Sequence, residues 1–406
     1  MTPSRRWRIL MLAPLLPWPV NNGSKVRMFH LARLLSKRHD VTLLALSPDA
    51  AGAAEQLAAE LPGVELKVVR CAARSSRPIR AVRALLGRLP LHVSEARDVR
   101  MSKAVADVSK RPFDVLHVFH MTMVQYESSA RAEFSVYDPM GNETLYMERM
   151  IAAAPFLWTP FLEMNLRRVR RYEAWAASRC DAVVSVSGLE AEYFRESARP
   201  DALVVTIPIA PDTTQLLALE SDNAGLPVVL FSGSLDWYPN IDAARFLVHK
   251  IWPEVRRSRA DAELWLAGKD PTPEIQELAR TAGVRVIANP GSMLPLLQSA
   301  AVVVVPIRTG SGTKIKTIEA MAAGKAIVTT NLGCEGWDVL DGTHLRRRDA
   351  PGEFANAIVD LLENPAERAR LGAAARALVR ERYTAEEMVG RFEALYAAGL
   401  VRAGAA

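Results

Sequence analysis

Residues 302–336 read VVVVPIRTGSGTKIKTIEAMAAGKAIVTTNLGCEG and bring together residue types that handle a phosphate ester. An apolar run ends at Pro306, and Gly310, Ser311 and Gly312 lead into a helical pattern carrying Lys314, Lys316 and Glu319. Glycine lets the backbone come close to a ligand, and the free amides of a helix N-terminus favour an anion. Two lysines at that entry suit a diphosphate. A carboxylate deeper in the helix accepts hydrogen bonds from a sugar or ribose hydroxyl. This is not a Walker loop, because no lysine follows the second glycine of a G-x-x-x-x-G-K frame. The same residues also fit an ordinary strand-to-helix turn in which Lys316 and Glu319 pair on the helix surface. The chain contains no D-x-D and no His/Cys cluster, so a catalytic metal is not expected.

The elements that must position these residues are legible as an alternation. Short apolar runs at 9–12, 41–45, 66–69, 115–118, 134–137 and 182–186 are followed by others at 228–231, 263–267, 284–287, 301–305 and 326–329. Amphipathic stretches such as 26–37, 243–257 and 273–282 lie between them. Strands that are apolar throughout, alternating with helices, predict parallel sheets covered on both faces. The alternation pauses once, around Pro200, Pro208, Pro211, Gly225 and Pro227. The middle of that stretch reads as the last strand of a first domain, and 212–227 as a linker. The expected division is a first domain over 1–215, a second over 216–384, and a final helix within 385–406 returning toward the first. Ligands of doubly wound sheets bind at the carboxyl ends of the strands, so a cleft between two such domains is the expected place of reaction.

A chain of 406 residues suits two domains, and half of its residues are hydrophobic. Cys71, Cys180 and Cys334 are odd in number and widely spaced, which predicts a reducing compartment without structural disulfides. The amino-terminal SRRWRILMLAPLLPWPV is basic and then apolar, but Pro14, Pro17 and Pro19 interrupt it and no A-x-A follows. It reads as a buried first strand and a proline-rich loop rather than an export signal. With no other long apolar segment, a cytoplasmic location is expected, including the inner face of the plasma membrane.

Several blocks together resemble the GT4-type (group 1) family of retaining glycosyltransferases with the GT-B fold, in particular bacterial exopolysaccharide-type sugar transferases. The signature is Gly310, Gly312, Lys314, Lys316, Glu319-Ala320-Met321-Ala322, Gly324, Thr330, Gly333, Glu335 and Gly336. FSGSLDWYPNIDAARFL, with Gly233, Trp237, Pro239 and Asn240, is similar to the opening of that family's donor domain. APLLPWPVNNGSKVR, with Pro14, Pro19, Gly23 and Arg27, is similar to the first loop of its acceptor domain. The resemblance implies two Rossmann-like domains facing a central cleft. It also implies a nucleotide-sugar donor, a glycan or lipid-linked acceptor, retention of configuration without metal, and a role in cell-surface polysaccharide synthesis.

Carried over residue by residue, the resemblance places Gly23, Gly233, Gly310, Gly312, Thr313, Lys314, Lys316 and Glu319 at the donor, with Lys316 and Glu319 catalytic. It implies a histidine after an acceptor-domain strand. FDVLHVFHMTMVQY offers His117 and His120, of which His120 is taken as catalytic. Asn22, Arg27, His117, Asp138 and Glu143 are placed on the acceptor side, although Asp138 also suits a strand-end cap. Two departures stand out. Ser311 occupies the place of a first glutamate, and Ser234 and Asn240 occupy those of an arginine and a lysine. Lys314 and Lys316 are inferred to take over that charge. In the block that usually reads D-x-H-N-x-E, Met140 and Gly141 replace the middle pair.

The net charge of +6 is uneven. Between Glu65 and Glu95 there is no acidic residue, while Arg77, Arg80, Arg83 and Arg88 lie there around an apolar face of Ile79, Val82, Leu85, Leu86 and Leu89. Such a helix suits contact with an anionic membrane, or packing on its own domain. A nucleic-acid partner is not expected, because no aromatic residues interleave with the basic run. The alternative of a nucleotide-sugar epimerase on the same architecture lacks the HVEAGLRS-like and SDSGG-like blocks of that family. The other alternative, a non-catalytic nucleotide-binding protein, is permitted by the pI of about 9.3.

Overall fold

Each apolar run forms a strand in the computed structural model, which describes residues 5–20, 22–47, 51–71, 87–152, 159–219, 227–310 and 312–405. The strands are β1 (Arg8–Ala13), β2 (Asp40–Ser47), β3 (Val64–Arg70), β4 (Phe113–Phe119), β5 (Ala132–Asp138), β6 (Ala182–Ser185) and β7 (Leu203–Thr206), then β8 (Val228–Ser232), β9 (Glu263–Gly268), β10 (Val284–Ala288), β11 (Val302–Val305), β12 (Ala326–Thr329) and β13 (Arg346–Arg347). Central strands are buried from end to end, as in β4 and β11. Strand β3 alternates exposed and half-buried residues, as an edge strand does. Strand β13 is two arginines long, so no apolar run announced it.

The chain divides into two compact units, Met1–Ile209 with Ala385–Ala406, and Ala210–Thr384. The first holds a seven-stranded sheet in the order β3-β2-β1-β4-β5-β6-β7. The second holds a six-stranded sheet in the order β10-β9-β8-β11-β12-β13. All pairings between these strands are parallel. Both are doubly wound α/β sheets, and in each the winding reverses beside the first strand, between β1 and β4 and between β8 and β11. The carboxyl ends at such a reversal are where these sheets bind ligands.

The first division falls after Ile209, not after residue 215 as expected. The reason is packing: the short helix Thr214–Leu217 puts Leu216 into the core of the second unit, and Arg380 donates to the Leu217 carbonyl. The helix Ala385–Gly404 belongs to the first unit, where it packs on helix Gly23–Leu35 and on β5. Among the described residues, no helix is long and apolar enough to cross a membrane. Arg77, Arg80 and Arg83 lie outside the described residues; Arg88 is exposed.

Candidate active site

In the second unit the two segments beside the sheet reversal meet. Strand β8 ends at Ser232, and Gly233 follows with φ 153°, a region open to glycine. A Cβ at Gly233 would stand 2.6 Å from Lys316 Nζ and 2.8 Å from Asn240 Nδ2, so the glycine leaves room for both. Asn240, in the helix Tyr238–Phe246, donates from Nδ2 to the Ser234 carbonyl at 2.7 Å and accepts from Lys316 Nζ at 2.7 Å. The ammonium sits 4.4 Å from the centre of the Phe231 ring. Lys316 is thus held by Asn240 of that helix over Phe231 of β8, and no Lys316–Glu319 surface pair forms.

After β11, Gly310 and Gly312 have φ of 104° and 71°, which turns the chain into the helix Ile315–Ala322. Among the described residues no side chain caps that helix, so its N-terminal amides face outward without a cap. Lys314 stands at the cap position, donates to the Gly312 carbonyl at 2.6 Å and lies 3.6 Å from Glu335. The Thr313 hydroxyl is buried without a hydrogen-bond partner. Burial pushes the Lys316 ammonium down to about 7; Glu319 opposes that fall and Lys314 adds to it. Burial raises the Glu319 carboxyl, and Lys316 opposes the rise. Glu319 lines a cavity of about 510 Å³ together with Asp212, Thr214, Gln215, Leu216, Met293, Leu294 and Leu297. Lys314, Lys316 and Glu319, singled out by their spacing in the sequence, all lie in this segment. Asn240 as the lysine's partner, Phe231 beneath it and the cavity residues Asp212, Thr214 and Gln215 were not foreseen.

In the first unit the expected acceptor residues separate into two groups. Arg27 and Asp138 are 0% exposed and joined by a 2.6 Å bond from Nε to Oδ2. Arg27 also donates to the Ile207 carbonyl at 2.6 Å and stacks over Phe392 at 4.8 Å. His117 Nε2 lies 3.2 Å from Asp138 Oδ2, and its Nδ1 lies 2.6 Å from the Tyr396 hydroxyl. Since the carboxylate can only accept, Nε2 carries the ring proton and Nδ1 accepts from tyrosine. Burial lowers the His117 pKa. Burial would raise that of Asp138, but Arg27 and His117 together hold it below the usual range. This corrects the expectation for Arg27, His117 and Asp138: helix Ala385–Gly404 covers them, and they have no surface to offer an acceptor. Through Phe392 and Tyr396 that helix packs directly on Arg27 and His117, which Asp138 joins.

His120 and Glu143 remain accessible. His120 follows β4 with φ 64° and ψ 147°, a strained backbone for a side chain with a Cβ, and its amide donates to the Asp138 carbonyl at 2.8 Å. Its Nε2 lies 3.3 Å from Glu143 Oε1. Burial works to raise the Glu143 carboxyl, but the bond to His120 and the charges of His120 and His92 leave it lowered. Asn22 caps helix Gly23–Leu35 by accepting from the Lys25 amide at 3.0 Å, and Gly23 is the first residue of that helix. Sequence reasoning missed His92, whose ring lies 6.0 Å from that of His120. It also missed Glu173, whose carboxylate accepts from the amides of Glu143 and Thr144 at 2.9 and 3.3 Å.

Comparison with known proteins adds to this geometry. The model of Glycosyltransferase Family 4 matches residues 21–215, and that of Glycosyl transferases group 1 matches residues 226–364. Glycogen synthase of Mycobacterium tuberculosis is 25% identical over 384 residues, 91% of this chain and 89% of that one. An uncharacterized 44.6 kDa protein in the cps region of Klebsiella pneumoniae is 23% identical over 168 residues, and there the match spans 39% of this chain and only 43% of that one. Among solved structures, HepE from Anabaena in complex with UDP has a TM-score of 0.67 at 14% identity, covering 96% of this chain and 100% of that one. Sucrose-phosphate synthase from Thermosynechococcus elongatus has a TM-score of 0.69 at 16% identity, covering 96% and 98%. At such identities the likeness is one of fold.

Proposed function

The chain belongs to the group 1 glycosyltransferases of the family-4 type, with the GT-B fold, and we propose that it transfers a sugar from a nucleotide-sugar donor to a glycan or lipid-linked acceptor with retention of configuration. The observation that carries this is the ammonium of Lys316, held by Asn240 beside Lys314 and an uncapped helix N-terminus. That arrangement suits a diphosphate, and UDP in HepE is a ligand of this chemistry. The leaving diphosphate gains negative charge as the glycosidic bond breaks. Fixed cations and amides aimed at that charge lower the barrier, so the reaction needs no divalent metal. Glu319 holds hydroxyls of the nucleotide ribose or the sugar from the wall of its cavity. The acceptor is taken by the first unit, where the carboxylate of Glu143 is accessible beside His120.

The match to a protein of a cps region supports a role in surface polysaccharide synthesis. The acid-free basic stretch that includes Arg77, Arg80, Arg83 and Arg88 supports contact with the cytoplasmic face of an anionic membrane, worth about 1 kcal/mol per basic side chain near the surface. The test is to incubate the purified protein with a panel of nucleotide-sugars and follow release of nucleoside diphosphate, with and without a chelator, and the anomeric configuration of the product by NMR. Metal-independent release with retained configuration is expected. Turnover that stops in chelator and returns with a divalent ion would contradict the metal-free reaction, and an inverted product would contradict retention.

A further inference from the structure

The ring nitrogens of His120 have separate duties. Thr122 places its backbone N–H 3.3 Å from Nδ1 and its hydroxyl oxygen 3.0 Å from the same nitrogen. An amide N–H can only donate, so Nδ1 is the bare nitrogen and the proton of the neutral ring sits on Nε2. That proton faces Glu143 Oε1 at 3.3 Å. The one donor of His120 is therefore spent on a neighbour. Oε2 of Glu143, by contrast, has no hydrogen-bond partner among the described residues, and the side chain is 34% exposed.

Three further observations mark the cluster as a ligand site rather than a surface pair. His120 and Met140, in the segments that follow β4 and β5, both have positive φ, 64° and 61°. Strained non-glycine residues concentrate where ligands are held. His92 Nε2 is buried with no hydrogen-bond partner, beside the His120 ring and within the field of the Glu143 carboxylate. A buried polar atom without a partner is costly unless a ligand or water completes it. Finally, the buried carboxylate of Glu173 takes the amides of Glu143 and Thr144, which fixes the backbone from which Glu143 reaches out.

We propose that Glu143 is the group that binds a hydroxyl of the acceptor sugar, with His120 acting as a positioning residue and His92 bordering the same subsite. Glu143 accepts the hydrogen bond through Oε2. His120 holds Oε1 and so keeps the carboxylate turned toward the substrate. His92 offers its unbonded nitrogen to a second polar atom of the same sugar. This rests on the glycosyltransferase reading and assigns the acceptor side of that site.

The experiment is saturation-transfer NMR of the full chain with methyl glucoside, methyl galactoside, methyl mannoside and methyl N-acetylglucosaminide, in the presence of UDP. UDP binding is followed in the same samples by thermal shift. At least one glycoside should bind the wild type. Glu143→Gln should weaken it by tenfold or more with the UDP shift unchanged, and His92→Phe should weaken it to a lesser degree. His120→Gln, whose amide nitrogen can reach the Nε2 position, should retain most of the affinity, whereas His120→Phe should lose as much as Glu143→Gln does. Rescue by glutamine but not phenylalanine identifies positioning, since a merely structural role would not tell the two apart at equal melting temperature. The proposal is overturned if no glycoside binds the wild type, if Glu143→Gln binds as the wild type does, or if that variant weakens UDP instead. Absence of any UDP shift in the wild type would count against the donor reading alone.

Discussion

Lys316 and Asn240, 76 positions apart in the chain, are joined by a 2.7 Å hydrogen bond from Nζ to Oδ1. Asn240 stands where many relatives were expected to carry a lysine for the diphosphate. In this chain that position accepts a hydrogen bond from a lysine of the segment after β11 instead of carrying the charge itself.

The held lysine makes donor binding depend on pH. Burial brings the Lys316 ammonium down to about 7. A diphosphate favours the charged form, so it raises that value and binding takes up a proton. Affinity should be greatest below pH 7 and fall as pH rises from 7 toward 9. Calorimetry in buffers of different ionisation enthalpy measures the uptake. Lys316→Met should remove it, and the difference between the two proteins separates the lysine from titration of the ligand itself. In the ligand-free protein the unfolded chain binds more protons than the native one from about pH 7 up to the ordinary lysine range, so this group makes stability rise with pH over that window.

The buried cluster predicts a loss of stability without a loss of donor binding. Asp138→Ala would leave Arg27 charged and 0% exposed with no carboxylate. Removing one member of a buried pair costs about 3–5 kcal/mol. Urea unfolding should show a loss of this size, and the folded protein should bind nucleoside diphosphate as before. A loss below about 1 kcal/mol, the scale of an exposed pair, would mean that water reaches the cluster.

Two glycines should respond differently to the same substitution. At Gly233 an added Cβ would meet the ends of two side chains, Lys316 Nζ and Asn240 Nδ2. At Gly268 it would stand 1.7 Å from the Gly233 carbonyl oxygen, which is backbone. Gly233→Ala should fold and bind donor weakly, while Gly268→Ala should lose stability first. Melting temperatures and calorimetry on both variants would check this. Wild-type donor affinity in Gly233→Ala would show that the close approach has no part in the site.

The basic stretch predicts salt-sensitive attachment to anionic vesicles. The wild type should pellet with anionic but not neutral liposomes, and 1 M salt should release it, because the screening length falls to about 3 Å. Reversing Arg80, Arg83 and Arg88 to glutamate should abolish pelleting and spare nucleotide binding. Pelleting that survives the reversals would assign the stretch to packing within its own unit.

Both sheets were legible because parallel strands buried on both faces are runs of valine, leucine and isoleucine. Strand β13 was not, since two arginines at an edge bury too little to leave a pattern. That Lys314, Lys316 and Glu319 lie together was legible because one turn and one helix carry all three. Asn240's hold on Lys316 was not, because it depends on how two distant segments meet. Arg27, Asp138 and His117 misled for a physical reason. Buried ion networks and active sites draw on the same residue types, and the burial of this one depends on Phe392 and Tyr396, the latter 279 positions from His117. His92 lies in no motif, and nothing in its local sequence ties it to His120.

The central claim is that Lys314 and Lys316 hold the donor diphosphate, and calorimetry of a nucleoside diphosphate on the wild type, Lys314→Ala and Lys316→Ala tests it most directly. Each substitution removes a charge-assisted hydrogen bond, for which about 1.5–3 kcal/mol is expected, or roughly a ten- to hundredfold rise in Kd. Wild-type affinity in both variants would contradict the account.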